Sequence, residues 1–124
     1  MPPLRVEPIV LHQDERGTLH KLLPRAVPGE VYLVTARPGA SRGHHIHHKA
    51  GEWFACVSGT GVVRAIDPDN GSVEEADLQG VRVHVPAGWA HALFNRGEVD
   101  LVVVVMADRP HDPADSHPCQ VPPK

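Results

Sequence analysis

A chain of 124 residues can bury one core but is too short for a separate cofactor domain beside it. Its formal net charge of -3 provides no broad basic field, which argues against nucleic acid or an anionic membrane as partner. No charged leader precedes an apolar stretch, and the longest apolar run, 101–107, is far too short to span a bilayer, so the chain is expected in the cytoplasm. Cys56 and Cys119 lack the spacing of a thiolate metal site and read as two reduced thiols.

Short runs rich in Val, Leu and Ile, cut by 11 glycines and 13 prolines, read as strands rather than helices. In chain order they fall at 18–23, 30–36, 43–48, 52–58, 61–67, 72–78, 81–85, 91–95 and 100–107. The stretches between them, "VPGE", "RPGAS", "SGTG", "DPDNG", "LQG", "PAG" and "NRGE", carry the glycines and prolines that tight turns require. Many short strands without a convincing helix predict an all-β, small single-domain, jelly-roll-like barrel, with a core at about 14–108. The segment 109–124, "RPHDPADSHPCQVPPK", is too rich in proline for a central strand and reads as an irregular tail laid over the barrel. Its Asp115, His117 and Cys119 have no rigid spacing, and no second metal site is expected there. Exposed strand edges predict a homodimer, with the strand 101–105 or the N-terminal strand near the interface.

The densest chemistry lies in "RGHHIHHKAGEWF", Arg42 to Phe54. Strand alternation points His45 and His47 to one side and His44, Ile46 and His48 to the other. A turn through "HKAG" returns Glu52 beside the first pair, and "VPAGWAHALFN" offers His91 as a fourth donor. Three imidazoles and a carboxylate in a narrow barrel place several polar groups in low dielectric, a conflict that one divalent ion resolves.

Two motifs carry a resemblance. "GASRGHHIHHKAGEWFACVSG" fits the first cupin signature, G-x5-H-x-H-x4-E-x6-G, and "GVRVHVPAGWAHALFN" fits the second, G-x5-P-x-G-x2-H-x3-N. The chain therefore resembles the cupin superfamily. That resemblance implies the cupin barrel, with His45, His47, Glu52 and His91 as ligands of one divalent transition metal; Zn, Mn, Fe and Ni are not distinguished. "DERGTL", "ARPGASRGHHIHH" and "AGWAHALFNRGEVDLVVVV" are similar to the metal-binding cupin portion of bacterial capsular-sugar epimerase-reductases. The R-G-x-H element, Arg42 to His45, is also similar to metal-free nucleotide-sugar epimerases and ketoisomerases, in which the histidine is a base; in the ketoisomerases a glutamine usually stands in the place of Glu52. The carboxylate of Glu52, together with His91, favours the metal.

These likenesses predict a small-molecule substrate, a keto sugar or nucleotide sugar, and epimerisation or isomerisation through a metal-stabilised enediolate. Arg42, Arg64 and Trp89 are candidate substrate-binding residues, and His84 is a candidate proton shuttle. The same ligand set also suits an Fe(II)-dependent dioxygenase, or a sugar-binding cupin without catalysis.

Overall fold

The computed structural model describes residues 2–124. Its strands are β1 (Arg5–Pro8), β2 (Val10–Asp14), β3 (Gly17–Lys21), β4 (Glu30–Ala36), β5 (Ser41–Ile46), β6 (Glu52–Ser58), β7 (Gly61–Ile66), β8 (Val73–Asp77), β9 (Val81–Val85), β10 (Ala90–Asn95), β11 (Leu101–Ala107) and β12 (His117–Pro118). One five-stranded sheet runs β1-β9-β6-β11-β4 and a second runs β12-β5-β10-β7-β8, while β2 and β3 form a separate hairpin. The pairings between strands are antiparallel. Two such sheets face to face make the cupin-like jelly roll that the motifs imply.

Period-two alternation decides what each strand buries. Phe54, Val63, Val83, Val85, Leu93, Val103 and Val105 turn inward and share one core between the sheets. The residues between them turn outward, yet both outer faces are also covered. Trp53, Ala55 and Met106 lie under Leu22, Leu23 and Val27, and Val62, Ala92 and Phe94 lie under the C-terminal segment through Val121. That segment contains a short 3-10 turn at Pro113–Asp115 and the two-residue strand β12. It packs over the outer face of the barrel and is ordered by hydrogen bonds.

Two expectations are corrected. Strands β1 and β2 were not anticipated, because Pro8 and a largely exposed N-terminal stretch weaken the strand signal there. The strand 101–105 is not an edge: β11 lies between β6 and β4 and exchanges ladder bonds with both, so it cannot pair with another chain. The edges of that sheet are β1 and β4, and β4 exposes Val31 and Leu33. Among the described residues, no helix is long and apolar enough to cross a membrane.

A candidate metal centre at the mouth of the barrel

Strands β5, β6 and β10 bring the quartet together. His91 stands opposite His45 in the β10–β5 ladder, and Glu52 opens β6, where it pairs with Ala107 of β11 and Val85 of β9. His47 follows immediately after the end of β5. One ligand atom from each of His45, His47, Glu52 and His91 lies within 4.8 Å of the others. For metal–ligand bonds of about 2.1 Å, donors around one ion stand on the order of 3–4 Å apart. The Nε2 atoms of His91 and His47 stand 3.2 Å and 3.6 Å from Glu52 Oε1.

Hydrogen bonds around the quartet orient its rings. His47 Nδ1 is 3.0 Å from the carbonyl of Asp115, and His91 Nδ1 is 3.0 Å from the carbonyl of Trp89. A carbonyl only accepts, so each Nδ1 carries a proton and each Nε2 faces Glu52. Tyr32 donates its hydroxyl to Glu52 Oε2 at 2.6 Å. That leaves Glu52 Oε1 and His91 Nε2 buried with no partner but each other. Ring nitrogens this close to a carboxylate oxygen need a proton or a metal ion between them, and the donor set fits a divalent transition ion.

The electrostatics agree. Burial first, and then the neighbouring His91 and His47, push His45 down to about 4, which keeps its imidazole neutral and available at neutral pH. Burial raises the Glu52 carboxyl, but its contacts with His91, Tyr32 and His47 outweigh that and hold it well below the usual carboxylate range. Burial and the adjacent Glu52 charge push the Tyr32 phenol up, so it remains a donor.

The side chains of β5 owe their facing to a β-bulge. The ladder runs His91 to His45 and then Ala92 to Gly43, so His44 is the extra residue. Gly43 at φ 104° and His44 at φ 57° absorb the turn. The bulge reverses the parity of the strand. Arg42 therefore shares the cavity side with His45 although the two are three residues apart, and it lines an inner cavity of about 140 Å³ with Phe54, His91 and Leu93. His44 turns outward instead, with its ring edge-on to Phe94 at 5.6 Å and its Nδ1 accepting the Val121 amide at 3.1 Å. An outer cavity of about 540 Å³ opens from the same quartet and is bounded by Glu30, Lys49, Arg109 and His111.

Three of the predicted site residues lie elsewhere. His84 alternates with the inward-facing Val83 and Val85, so it points out of the barrel, where its ring packs 4.9 Å from that of Trp53. It cannot shuttle protons in the cavity. Arg64 also faces outward; it pairs with Glu75 at 2.7 Å and donates to the carbonyl of Pro122 at 2.8 Å. Trp89 is buried in the core and donates its Nε1–H to the carbonyl of Pro2 at 3.1 Å. It serves the site through its backbone carbonyl rather than its ring. Sequence reasoning missed Tyr32, Asp115 and His111, whose roles depend on contacts across the fold; for Tyr32, alternation along β4 with Val34 and Ala36 was the available signal.

Residues 12–118 match the family described as the polysaccharide biosynthesis C-terminal domain. A UDP-2-acetamido-2,6-beta-L-arabino-hexul-4-ose reductase from Pseudomonas aeruginosa is 31% identical over an alignment of 118 residues that covers 91% of this chain and 32% of that protein. The chain thus spans about a third of the length of this curated relative. The capsular polysaccharide assembling protein CapF from Staphylococcus aureus superimposes with a TM-score of 0.70 at 28% identity, covering 92% of this chain and 35% of CapF. A dTDP sugar isomerase from Desulfovibrio desulfuricans G20 superimposes with a TM-score of 0.87 at 18% identity, covering 94% of this chain and 83% of the other. ChmJ, a 3'-monoepimerase from Streptomyces bikiniensis solved with dTDP-quinovose, gives 0.81 at 20% identity, covering 93% and 68%. The last two likenesses concern the fold alone.

Proposed function

Because the chain belongs to the polysaccharide biosynthesis C-terminal domain family, we propose that it is a metal-dependent enzyme that epimerises or isomerises a keto sugar carried on a nucleotide. The reading rests on one observation above all: the Nε2 atoms of two histidines and a carboxylate oxygen converge in a buried site, with a third histidine beside them. A divalent ion held by His45, His47, Glu52 and His91 would supply Lewis acidity toward a carbonyl oxygen of the substrate, and Zn, Mn, Fe and Ni all suit these donors.

The protein's own groups do the rest. Tyr32 occupies one oxygen of Glu52 and leaves the other facing the histidines. Arg42 in the inner cavity, and Lys49 with Arg109 at the outer one, offer positive charge to a phosphate-bearing substrate. His111 lines the outer cavity with its ring centroid 6.5 Å from that of His47, and we assign it the proton at the carbon beside the carbonyl. Its segment is anchored by the His111 amide, which donates to Glu30 at 2.7 Å. The names of the relatives, a hexulose reductase and a capsular polysaccharide assembling protein, support a sugar substrate. The two free thiols suit a cytoplasmic protein, and the exposed β4 edge suits a homodimer.

Solvent-deuterium exchange into nucleotide-linked keto sugars tests the reaction. The metal-loaded chain is expected to label the carbon beside the carbonyl, and His111→Ala to lose labelling about 100-fold while keeping its metal. Binding without any labelling would make the protein a sugar-binding cupin, and stoichiometric oxygen uptake would make it a dioxygenase.

A further inference from the structure

Each ligand of the quartet is held in place by a different part of the chain. His45 lies in a ladder opposite His91, and His91 is oriented by a carbonyl only two residues away in its own loop. Glu52 is fixed by β6 and by Tyr32. His47 lies beyond the last residue of β5, where no ladder holds it. Its ring is oriented by the carbonyl of Asp115, 68 residues further along the chain.

Asp115 is built to hold that position. It is buried, and its carboxylate accepts the amide of His48 at 2.8 Å and that of Lys49 at 3.0 Å, which fixes the backbone just after His47. The 3-10 turn sets the direction of the Asp115 carbonyl, with the Asp112 side chain accepting the Ala114 amide and the Asp112 carbonyl accepting the Asp115 amide, both at 2.9 Å. Beyond the turn the chain remains docked. The Cys119 amide donates to the His44 carbonyl at 2.8 Å, Val121 is fully buried, and Arg64 and Arg96 share Glu75 while donating to the carbonyls of Pro122 and Pro123.

We infer that Asp115 is a positioning residue for His47, and that the C-terminal segment is therefore part of the metal centre as well as a cover for the barrel. This rests on the metal reading of the quartet. The carboxylate fixes the loop, the carbonyl fixes the tautomer, and together they aim one Nε2 lone pair at the ion. Losing such an outer partner typically lowers metal affinity about 10–100-fold.

Long-range proton–nitrogen NMR on the isotope-labelled, metal-free chain, together with zinc competition against a chromophoric chelator, tests this. In the wild-type chain His47 is expected to carry its proton on Nδ1. Asp115→Ala is expected to yield mixed tautomers and to lose zinc affinity about 10–100-fold, whereas Asp115→Asn, which keeps an acceptor for both amides, stays within a few-fold of wild type. A wild-type His47 protonated on Nε2 would overturn the inference without any variant having to fold. An alanine variant unchanged in both readouts would overturn it too, as would equal damage in the asparagine variant. If the wild-type chain takes no zinc but His47 still shows its Nδ1 proton, the metal reading falls and the positioning of the ring by Asp115 stands.

Discussion

At the scale of single residues, the cluster separates the proposed metal ligands from neighbours that differ only in the direction they face. His47→Ala and Glu52→Ala each remove a donor and are expected to cut bound metal at least 10-fold in elemental analysis, whereas His48→Ala, whose ring packs against His117 at 5.0 Å, is expected to leave it unchanged. The pH dependence of the metal-free chain has a definite sign. His45 is pushed from 6.5 down to about 4 in the fold, so below about pH 6.5 the unfolded chain takes up a proton that the folded chain refuses. Glu52, lowered from 4.5, adds loss of the same sign at lower pH. The melting temperature of chelator-treated protein is therefore expected to fall from pH 7 toward pH 4, and a flat profile would contradict this assignment of charge. His45, His47, Glu52 and His91 were legible in the sequence because motif spacing and alternation place them together. Tyr32 and Asp115 were not, since hydrogen bonds spanning 20 and 68 residues leave no local pattern.

Strand β5 shows how much one irregularity decides at the scale of elements. Regular alternation through Ser41–Ile46 would put Arg42 and His45 on opposite faces; the bulge at His44 puts both toward the cavity. Gly43 makes that possible, with φ at 104° and the carbonyl oxygen of His91 only 3.1 Å from where a Cβ would stand. Gly43→Ala is thus expected to cost about 1–3 kcal/mol in denaturant unfolding and to weaken metal binding as well. Unchanged stability and metal content would show that the bulge tolerates a side chain. Most strand positions, including 30–36, 52–58 and 81–85, were legible because turn residues bracket them. The facing of His84 and Arg64 was not, because alternation gives two parities and only the packed core chooses between them.

Considered whole, the molecule is a barrel that neither ends at its last long strand nor closes all its edges. Val31 and Leu33 on the β4 edge are exposed, and light scattering after size exclusion is expected to give a dimer, with Leu33→Lys shifting it toward monomer. A monomeric wild-type chain at high micromolar concentration would contradict that. The jelly-roll class was readable from strand count and turn chemistry, but the structural work of the tail was not, since proline-rich composition hides its single buried valine and its one buried aspartate. Fold and site meet at the quartet, so the direct test of the account is the metal content of the full chain purified without added metal. The account predicts close to one divalent transition ion per chain, absent from Glu52→Ala. A folded chain that carries none, and takes up none of Zn, Mn, Fe or Ni on reconstitution, would contradict it.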